Sequence, residues 1–203
     1  MSQKRDTDIK QLKLILVGMS GTGKTNLINV LVGQKFQLSE LTTTTATFVE
    51  KEMVINEKKY KINIWDTAGQ EKFHSLTKIF IKESKIVLFV YDITSTRSFE
   101  ELNFWVDMVK EVLGDKFVIG LAGNKKDLFL EEKVSEDEGK KKAEELGAIF
   151  KLTSAKTGYG IKELIEKLLK EYIRRLNKGE FDDEKKFKQL DNSLTNKKKK
   201  CCK

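Results

Sequence analysis

A glycine-rich stretch near the amino terminus constrains this chain more than any other feature. Residues 18–25 read Gly-Met-Ser-Gly-Thr-Gly-Lys-Thr and fit G-x-x-x-x-G-K-[ST], the pattern of a loop that cradles phosphates. The apolar run 12–17 before it predicts a buried strand, and the helical spacing of apolar residues in 26–32 predicts a helix after it. Backbone N–H groups and the helix amino terminus would then attract an anion, whereas an ordinary strand-to-helix turn is the alternative.

Two side chains of this loop have expected roles on a bound nucleotide. Lys24 is expected to lie against the β- and γ-phosphates, and the hydroxyl of Thr25 is expected to bind Mg²⁺. The glycines at positions 18, 21 and 23 allow unusual backbone dihedrals and a close approach of the ligand. The loop therefore predicts a phosphate site but does not by itself select the base.

Length and charge exclude several classes of function. The 203 residues suffice for one domain with a buried core plus an extension. The chain has no run of about 18 apolar residues, so no membrane span is predicted. Its polar first residues predict neither a signal peptide nor N-myristoylation. The net charge is +8, but half of the excess lies after position 176, so we expect no nucleic-acid binding.

Residues 177–203 form a basic tail without apolar periodicity. They contain nine lysines and five acidic residues, and they end Lys-Lys-Lys-Lys-Cys-Cys-Lys. Cys201 and Cys202 are the two cysteines of the chain. Adjacent cysteines at one end of a chain cannot cross-link a core through disulfides, and this pattern favours a cytosolic protein. A lysine run is typical of a solvated end, but beside two cysteines it also favours attachment to an anionic membrane.

Apolar patterning between the loop and the tail alternates between strands and helices. Strands are predicted at 48–55, 60–65, 86–91, 117–122 and 148–152. Helices are predicted weakly at 71–83, and clearly at 99–113, after the capping box of Ser135 and Glu138, and at 161–176. This alternation predicts a three-layer α/β fold with a mostly parallel sheet, and ligands are expected at the carboxyl ends of its strands.

The stretch Asp-Thr-Ala-Gly-Gln at 66–70 directly follows a predicted strand. Asp66 suits a Mg²⁺ site, Gly69 can offer an unobstructed N–H to a terminal phosphate, and the Gln70 amide can orient a water molecule. An ordinary turn explains the same residue types equally well, because Asp and Gly are frequent in turns. Both interpretations remain open at this point.

Two later motifs also follow predicted strands. In Asn124-Lys125-Lys126-Asp127, the carboxylate of Asp127 can accept hydrogen bonds from N1–H and N2–H₂ of guanine, a donor pair that adenine lacks. In Ser154-Ala155-Lys156, a backbone N–H can meet the guanine O6 atom. Each motif is short and common on protein surfaces, so its weight comes from its place after a strand.

The four stretches, in this order and at these intervals, resemble the Ras superfamily of small GTPases over residues 12–176. Residues 65–73 and 89–94, Ser20 and the terminal Cys-Cys-Lys resemble the Rab branch. The resemblance implies a P-loop NTPase fold with six strands, one of them an antiparallel edge strand, and about five helices. It also implies a monomeric GTP/GDP switch that binds Mg²⁺, hydrolyses GTP slowly and regulates vesicle traffic.

The resemblance also assigns the site residues. It gives catalytic roles to Lys24, Thr43 and Gln70, and Mg²⁺ binding to Thr25, Thr43 and Asp66. Thr43 takes the place of the switch I threonine, Phe36 that of an aromatic ring stacked on guanine, and Asn26 that of a backbone contact to the α-phosphate. The implied nucleotide-binding residues are Ser20, Gly21, Thr22, Gly23, Lys24, Thr25, Asn26, Phe36, Thr43, Gly69, Asn124, Lys125, Asp127, Ser154, Ala155 and Lys156.

Three regions and a set of partners are implied in the same way. The regions are a flexible amino terminus (1–10), a GTPase domain (11–176) and a flexible basic tail (177–203) with prenylation at Cys201 and Cys202. The partners are a nucleotide exchange factor, a GTPase-activating protein, a GDP-dissociation inhibitor or escort protein, and effectors. The expected location is the cytoplasmic face of an endomembrane, in exchange with the cytosol.

The chain departs from the Rab pattern where partners bind in that family. Thr-Thr-Ala at 44–46 replaces the usual Ile-Gly-Val, and Phe-Ile-Lys-Glu at 80–83 replaces a Tyr-Tyr-Arg-Gly-like stretch. Phe48, Trp65 and Phe73 resemble an effector-facing aromatic triad, with plain packing as the alternative. The identity of the partners therefore stays open. The functional alternatives are a binding module that holds GTP without turnover, an ATP-dependent P-loop enzyme, or another branch of the superfamily.

Overall fold

The computed structural model describes residues 10–38, 46–67 and 74–181. Its strands are β1 (Lys10–Val17), β2 (Thr47–Ile55), β3 (Lys58–Asp66), β4 (Ile86–Asp92), β5 (Val118–Asn124) and β6 (Ile149–Leu152). Its α-helices are α1 (Lys24–Leu31), α2 (His74–Ile81), α3 (Thr96–Glu100), α4 (Leu102–Leu113), α5 (Glu136–Leu146) and α6 (Ile161–Asn177). A 3₁₀ helix covers Lys126–Glu131. The expected α/β alternation is confirmed.

The six strands form one sheet in the order β2-β3-β1-β4-β5-β6. All neighbouring pairs are parallel except β2 with β3, which confirms the expected antiparallel edge strand. Asn56 and Glu57 connect β2 to β3, and both have positive φ angles, 50° and 63°. Two residues with positive φ form the hairpin turn whose twist matches that of the flanking strands, which is why β3 begins at Lys58 rather than at Tyr60 as predicted.

Helices cover both faces of the sheet. On one face, Ile15 and Val17 of β1 belong to a buried cluster with Ile81 of α2 and Trp105 of α4. The alternate residues of β1 point to the other face, because successive side chains of a strand alternate. There, Leu16 lines the same small apolar space as residues of α1 and α6. The result is the three-layer arrangement that the sequence predicts.

One predicted helix is two helices in the structure. Continuous apolar spacing predicted a single helix over 99–113, but α3 ends at Glu100 and α4 begins at Leu102. The Ser95 side chain caps α3 by accepting a hydrogen bond from the backbone N–H of Ser98. Glu101, with φ −66° and ψ −9°, lies between the two helices as the C-cap of α3 and the N-cap of α4. The described residues therefore form six α-helices rather than about five.

Local sequence signals explain the ends of α5 and the packing of α6. The capping box of Ser135 and Glu138 is present, and Gly147 ends α5 in the left-handed conformation. Helix α6 buries a stripe of apolar side chains, and a Cβ atom on Gly120 of β5 would lie 2.8 Å from a methyl group of Leu168. Glycine at this position lets the helix approach the sheet closely.

The chain divides after Tyr172 into two compact units, so the description of the sheet and its helices concerns residues up to that point. In the second unit, the described residues 173–181 contain the last turns of α6 and an ion pair of 3.9 Å between Arg175 and Glu180. None of the helices among the described residues has the length and apolar character that crossing a membrane requires.

Tyr91 of β4 offers a test of the packing between the sheet and α5. Its hydroxyl is buried and has no hydrogen-bond partner among the described residues. It lies in space left by two glycines, since Cβ atoms on Gly123 and Gly139 would be 2.7 Å and 2.5 Å from the hydroxyl oxygen. Burial, with nearby Glu132, Glu138 and Glu136 adding to the effect, raises the pKa of Tyr91, so the group stays neutral.

We expect Tyr91→Phe to leave the free energy of unfolding unchanged or to raise it by about 1 kcal/mol, because it removes a buried polar group without a partner. Gly139→Ala is the contrasting variant, expected to destabilise by about 1–3 kcal/mol through overpacking. Urea unfolding followed by circular dichroism measures both. A loss of stability in Tyr91→Phe would show that the hydroxyl is hydrogen-bonded.

Candidate functional site

The phosphate loop lies between β1 and α1, at the carboxyl end of β1. Gly18, Gly21 and Gly23 have φ angles of 147°, 80° and 90°, a region that favours glycine. A Cβ atom on Gly18 would lie 2.2 Å from the carbonyl oxygen of Val90 in β4, so only glycine fits there. The predicted strand, glycine loop and helix are therefore present, and packing against β4 requires glycine at position 18.

Lys24 begins α1 and turns its side chain back into the loop. Only 5% of the residue is exposed, and its ammonium group donates hydrogen bonds to the carbonyl oxygens of Gly18 (2.7 Å) and Met19 (2.9 Å). Burial lowers the pKa of Lys24 to about 8, and the nearby Asp66 carboxylate opposes this effect. A buried cation whose hydrogen-bond partners are neutral carbonyl oxygens suits a polyphosphate, whose negative charge would offset the cost of burial.

Thr25 and Asp66 meet beside this lysine. The Thr25 hydroxyl donates a hydrogen bond of 2.5 Å to Oδ2 of Asp66, the last residue of β3. Asp66 is 3% exposed. The described residues contain no group of three or more His, Cys, Asp or Glu side chains that could cage a metal ion. One hydroxyl and one carboxylate fit Mg²⁺, which keeps several waters and completes its shell with phosphate oxygens.

The stretch after Asp66 is anchored by a residue that the sequence did not single out. The Thr67 hydroxyl is buried and donates a hydrogen bond of 2.7 Å to the carbonyl oxygen of Leu16 in β1. The predicted site residues Gly69 and Gln70 lie outside the described residues, and so does Thr43. Thr67 therefore shows where this stretch leaves the sheet, close to the phosphate loop.

Asn124, the last residue of β5, connects three loops. Its Nδ2 donates to the carbonyl oxygen of Thr22 in the phosphate loop (2.8 Å), and its Oδ1 accepts from the hydroxyl of Thr153 after β6 (3.2 Å). The residue is 1% exposed. A Cβ atom on Gly23 would lie 2.5 Å from Nδ2, so glycine at position 23 is a condition for this contact.

The second part of the guanine motif also contacts the loop after β6. The Ser154 hydroxyl donates a hydrogen bond of 2.5 Å to Oδ1 of Asp127 and accepts one from the backbone N–H of Thr157 (3.1 Å). Ala155 is buried and Lys156 is exposed in the turn that follows. The structure thus brings Asp127 and Ser154 together, as the sequence predicts for two sides of one base-binding site.

Lys125 lies between these two contacts and has an unusual backbone. Its φ angle is 67°, in the left-handed region that non-glycine residues rarely adopt. Its ammonium group lies 2.6 Å from Oδ2 of Asp92, the last residue of β4. Asp92 was missed in the sequence, although an acidic residue that closes an apolar strand is the same signal that pointed to Asp66.

The loop after α1 is fastened by Asn26. Its Nδ2 donates to the carbonyl oxygen of Gln37 (2.9 Å), and its Oδ1 accepts from the backbone N–H of Gln37 (3.0 Å). Phe36, the predicted guanine-stacking residue, is half-buried next to this pair. The side chain of Asn26 therefore adds a loop-holding contact to the backbone role expected from the sequence. Ser20, Gly21 and Thr22 lie in the phosphate loop as expected.

The described motif residues thus converge at the carboxyl ends of β1, β3, β5 and β6, which are parallel strands of one sheet and end on the same side of it. A comparison with family models matches residues 13–174 to the Ras family. The chain belongs to the Ras family. Its domain is that of a small GTPase, a class of switch that binds GTP or GDP with Mg²⁺ and hydrolyses GTP.

Alanine variants at two glycines of the phosphate loop distinguish the cost of a steric clash from the cost of an unfavourable backbone conformation. We expect Gly18→Ala to lower the free energy of unfolding by about 3 kcal/mol or more, because the new methyl group meets the Val90 carbonyl in addition to the cost of a positive φ. Gly21→Ala meets nothing within 4 Å and carries only the cost of a positive φ, roughly 1–2 kcal/mol. Urea unfolding without added nucleotide compares them, and equal losses would contradict the packing argument.

Proposed function

We propose that this chain is a Rab-like GTPase, a switch that cycles between GTP and GDP and regulates vesicle traffic. The observation that carries the switch function is the convergence of Lys24, the Thr25–Asp66 pair and the Asp127–Ser154 pair on one edge of the sheet. It combines a phosphate site, a magnesium site and a guanine-selecting carboxylate. Support for the Rab branch comes from sequence, in Ser20, residues 65–73 and 89–94, and the Cys-Cys-Lys terminus.

Each residue has a role that follows from its chemistry. Lys24 holds phosphate oxygens by charge, Thr25 and Asp66 would hold Mg²⁺, and Asp127 accepts the guanine donors. Mg²⁺, when bound, would neutralise part of the negative charge of the phosphates. Water attacks the γ-phosphorus in line as the bond to the β-phosphate oxygen breaks, and Gln70 is assigned to place that water. We also assign Thr43 and Gly69 to contact the γ-phosphate, so that its loss would release both loops.

Hydrolysis by the chain alone should be slow. The sequence offers no obvious arginine in either switch segment to stabilise the transferring phosphate, so an intrinsic rate on the order of 10⁻⁴ to 10⁻³ s⁻¹ is expected, as in Ras. A GTPase-activating protein would supply the missing charge. Such a protein can also bring its own glutamine, and Gln70 would then orient its loop more than the water.

Gln70→Leu is expected to slow single-turnover GTP hydrolysis about tenfold or more, because it removes the amide that orients water. Gln11→Leu is the matched control. Gln11 is exposed and lies near the amino end of β1, away from the phosphate loop. Phosphate release from purified, GTP-loaded protein measures the rate. Equal rates for wild type and Gln70→Leu would contradict the assignment.

Absence of turnover in wild type would instead favour a binding module that holds GTP. Chromatography of the nucleotide that co-purifies with the protein tests the alternative of an ATP-dependent enzyme.

An aromatic surface supports the proposal of effector binding. The rings of Phe48 and Trp65 stack with centroids 5.1 Å apart, and Trp65 also stacks on Phe80 at 5.5 Å. The Lys13 ammonium lies 4.7 Å from the Trp65 ring centroid. Phe48 is 53% exposed, so this stack is open to a partner on one side. Phe73, the third member predicted from the sequence, lies outside the described residues.

Membrane attachment is proposed through the tail. Four consecutive lysines attract an anionic leaflet by about 1 kcal/mol each, and two lipid chains anchor a protein stably where one does so only marginally. Prenylation of both Cys201 and Cys202 would therefore hold the protein at the cytoplasmic face of an endomembrane. Binding by an escort protein or a GDP-dissociation inhibitor would return it to the cytosol.

The double variant Cys201→Ser/Cys202→Ser is expected to move from the membrane fraction to the cytosol of a eukaryotic cell, because it removes both attachment points. Each single variant should bind membranes weakly, since one chain anchors marginally. Fractionation combined with mass spectrometry of the tail measures both effects. Unmodified Cys201 and Cys202 in membrane-bound wild-type protein would refute prenylation as the anchor.

A further inference from the structure

The carboxylate of Asp92 is a junction at the end of β4. Its Oδ1 accepts hydrogen bonds from the backbone N–H of Thr94 (2.9 Å) and from the Thr94 hydroxyl (2.8 Å). Its Oδ2 contacts the Lys125 ammonium at 2.6 Å. The backbone of Asp92 is held as well, because its N–H donates to Ser98 Oγ and its carbonyl oxygen accepts from the same hydroxyl. Both oxygens of the carboxylate are therefore fixed in direction.

The position of Asp92 next to the guanine motif follows from the sheet. Asp92 and Asn124 are paired residues at the ends of β4 and β5, and Lys125 is the next residue along the chain. The backbone N–H of Ile93 donates to the carbonyl oxygen of Asn124 at 3.1 Å. Asp92 and Lys125 thus leave adjacent strands side by side, which lets a short aspartate reach the lysine.

Lys125 needs a partner because its backbone is strained. A left-handed conformation is unfavourable for a residue with a side chain, because its Cβ atom comes close to the following carbonyl oxygen. This turn places Asp127 against Ser154 on one side and leaves Asn124 bonded to Thr22 on the other. The Asp92 side chain is 10% exposed and that of Lys125 is 33% exposed, so water screens the ion pair only in part.

We propose that Asp92 is a positioning residue for the guanine-binding loop. Its carboxylate holds Lys125 in the left-handed turn, and the turn keeps Asp127 where it accepts the guanine donors. Asp92 thereby sets how long a guanine nucleotide stays bound, although it lies on a different strand from the motif. This role rests on the proposed GTP/GDP switch, and it predicts coupling between Asp92 and Lys125 rather than an independent effect of either residue.

The first test is the rate of GDP release from Asp92→Asn, followed with a fluorescent GDP analogue. Asparagine keeps an oxygen for the Thr94 contacts and removes the charge that pairs with Lys125. Release about tenfold faster than in wild type is expected, since hydrogen bonds to charged groups contribute more than neutral ones. Glu111→Gln is the matched control: it breaks a lysine–carboxylate pair of the same 2.6 Å between α2 and α4, and wild-type release is expected.

A double-mutant cycle distinguishes positioning from general destabilisation. Lys125→Met is expected to release GDP faster, and Asp92→Asn/Lys125→Met no faster than Lys125→Met alone, because the pair is already broken. Multiplying effects in the double variant, or release from Asp92→Asn within twofold of wild type, would overturn the proposal. Wild-type protein that retains no GDP would instead refute the proposed function, before any variant is compared.

Lys125→Arg provides a second test of the proposal, in which Asp92 is unchanged. Arginine keeps a positive charge for the Asp92 carboxylate, and position 125 is partly exposed, which favours folding of the variant. We expect Lys125→Arg to retain GDP longer than Lys125→Met. Equal release from the two variants would show that the charge pair does not hold the loop and would overturn the proposal even if Asp92→Asn failed to fold.

Discussion

The side-chain amide of Asn124 is the contact on which the candidate site depends. It joins Thr22 of the phosphate loop to Thr153 after β6, so three loops far apart in the chain share one buried residue. The contact requires glycine at position 23, because any Cβ there would collide with the amide. Since a buried amide left without partners is costly, the phosphate loop and the base-binding loops are held in place together.

Buried charges are concentrated at the same edge of the sheet. Lys24, Asp66 and Asp92 are each less than a tenth exposed, and each has a hydrogen-bond or ion-pair partner. Burying a charge is unfavourable unless it is paired. For Lys24 the hydrogen-bond partners are neutral carbonyl oxygens, and the nearby Asp66 carboxylate offsets only part of the cost that burial imposes on its charge. A bound polyphosphate would compensate that charge. Burial of Lys24 is therefore less unfavourable in the nucleotide-bound protein than in the free protein, and this difference favours anion binding.

Much of the fold could be predicted because its signals are local. The central strands appeared as apolar runs and β3 as an alternating pattern, and Ser135 with Glu138 located the start of α5 from four residues alone. The prediction differed from the structure where apolar spacing continued across a helix boundary, as between α3 and α4, because periodicity does not report the backbone conformation of Glu101. The candidate site residues 18–25, 66, 124–127 and 154–156 could be predicted because each motif lies at or just after the end of a strand, and the structure brings the ends of these strands together.

By itself, the sequence predicted the succession of strands and helices and the phosphate loop, and it pointed to Asp127 as the proposed guanine-selecting residue, because these depend on residue types at short spacing. Tertiary structure alone decided which side chains hold the motifs together. Thr67 reaches the Leu16 carbonyl and Asp92 reaches Lys125 because the sheet places strand ends side by side. Such contacts join residues 51 and 33 positions apart, and no local pattern encodes the direction in which a side chain crosses between strands.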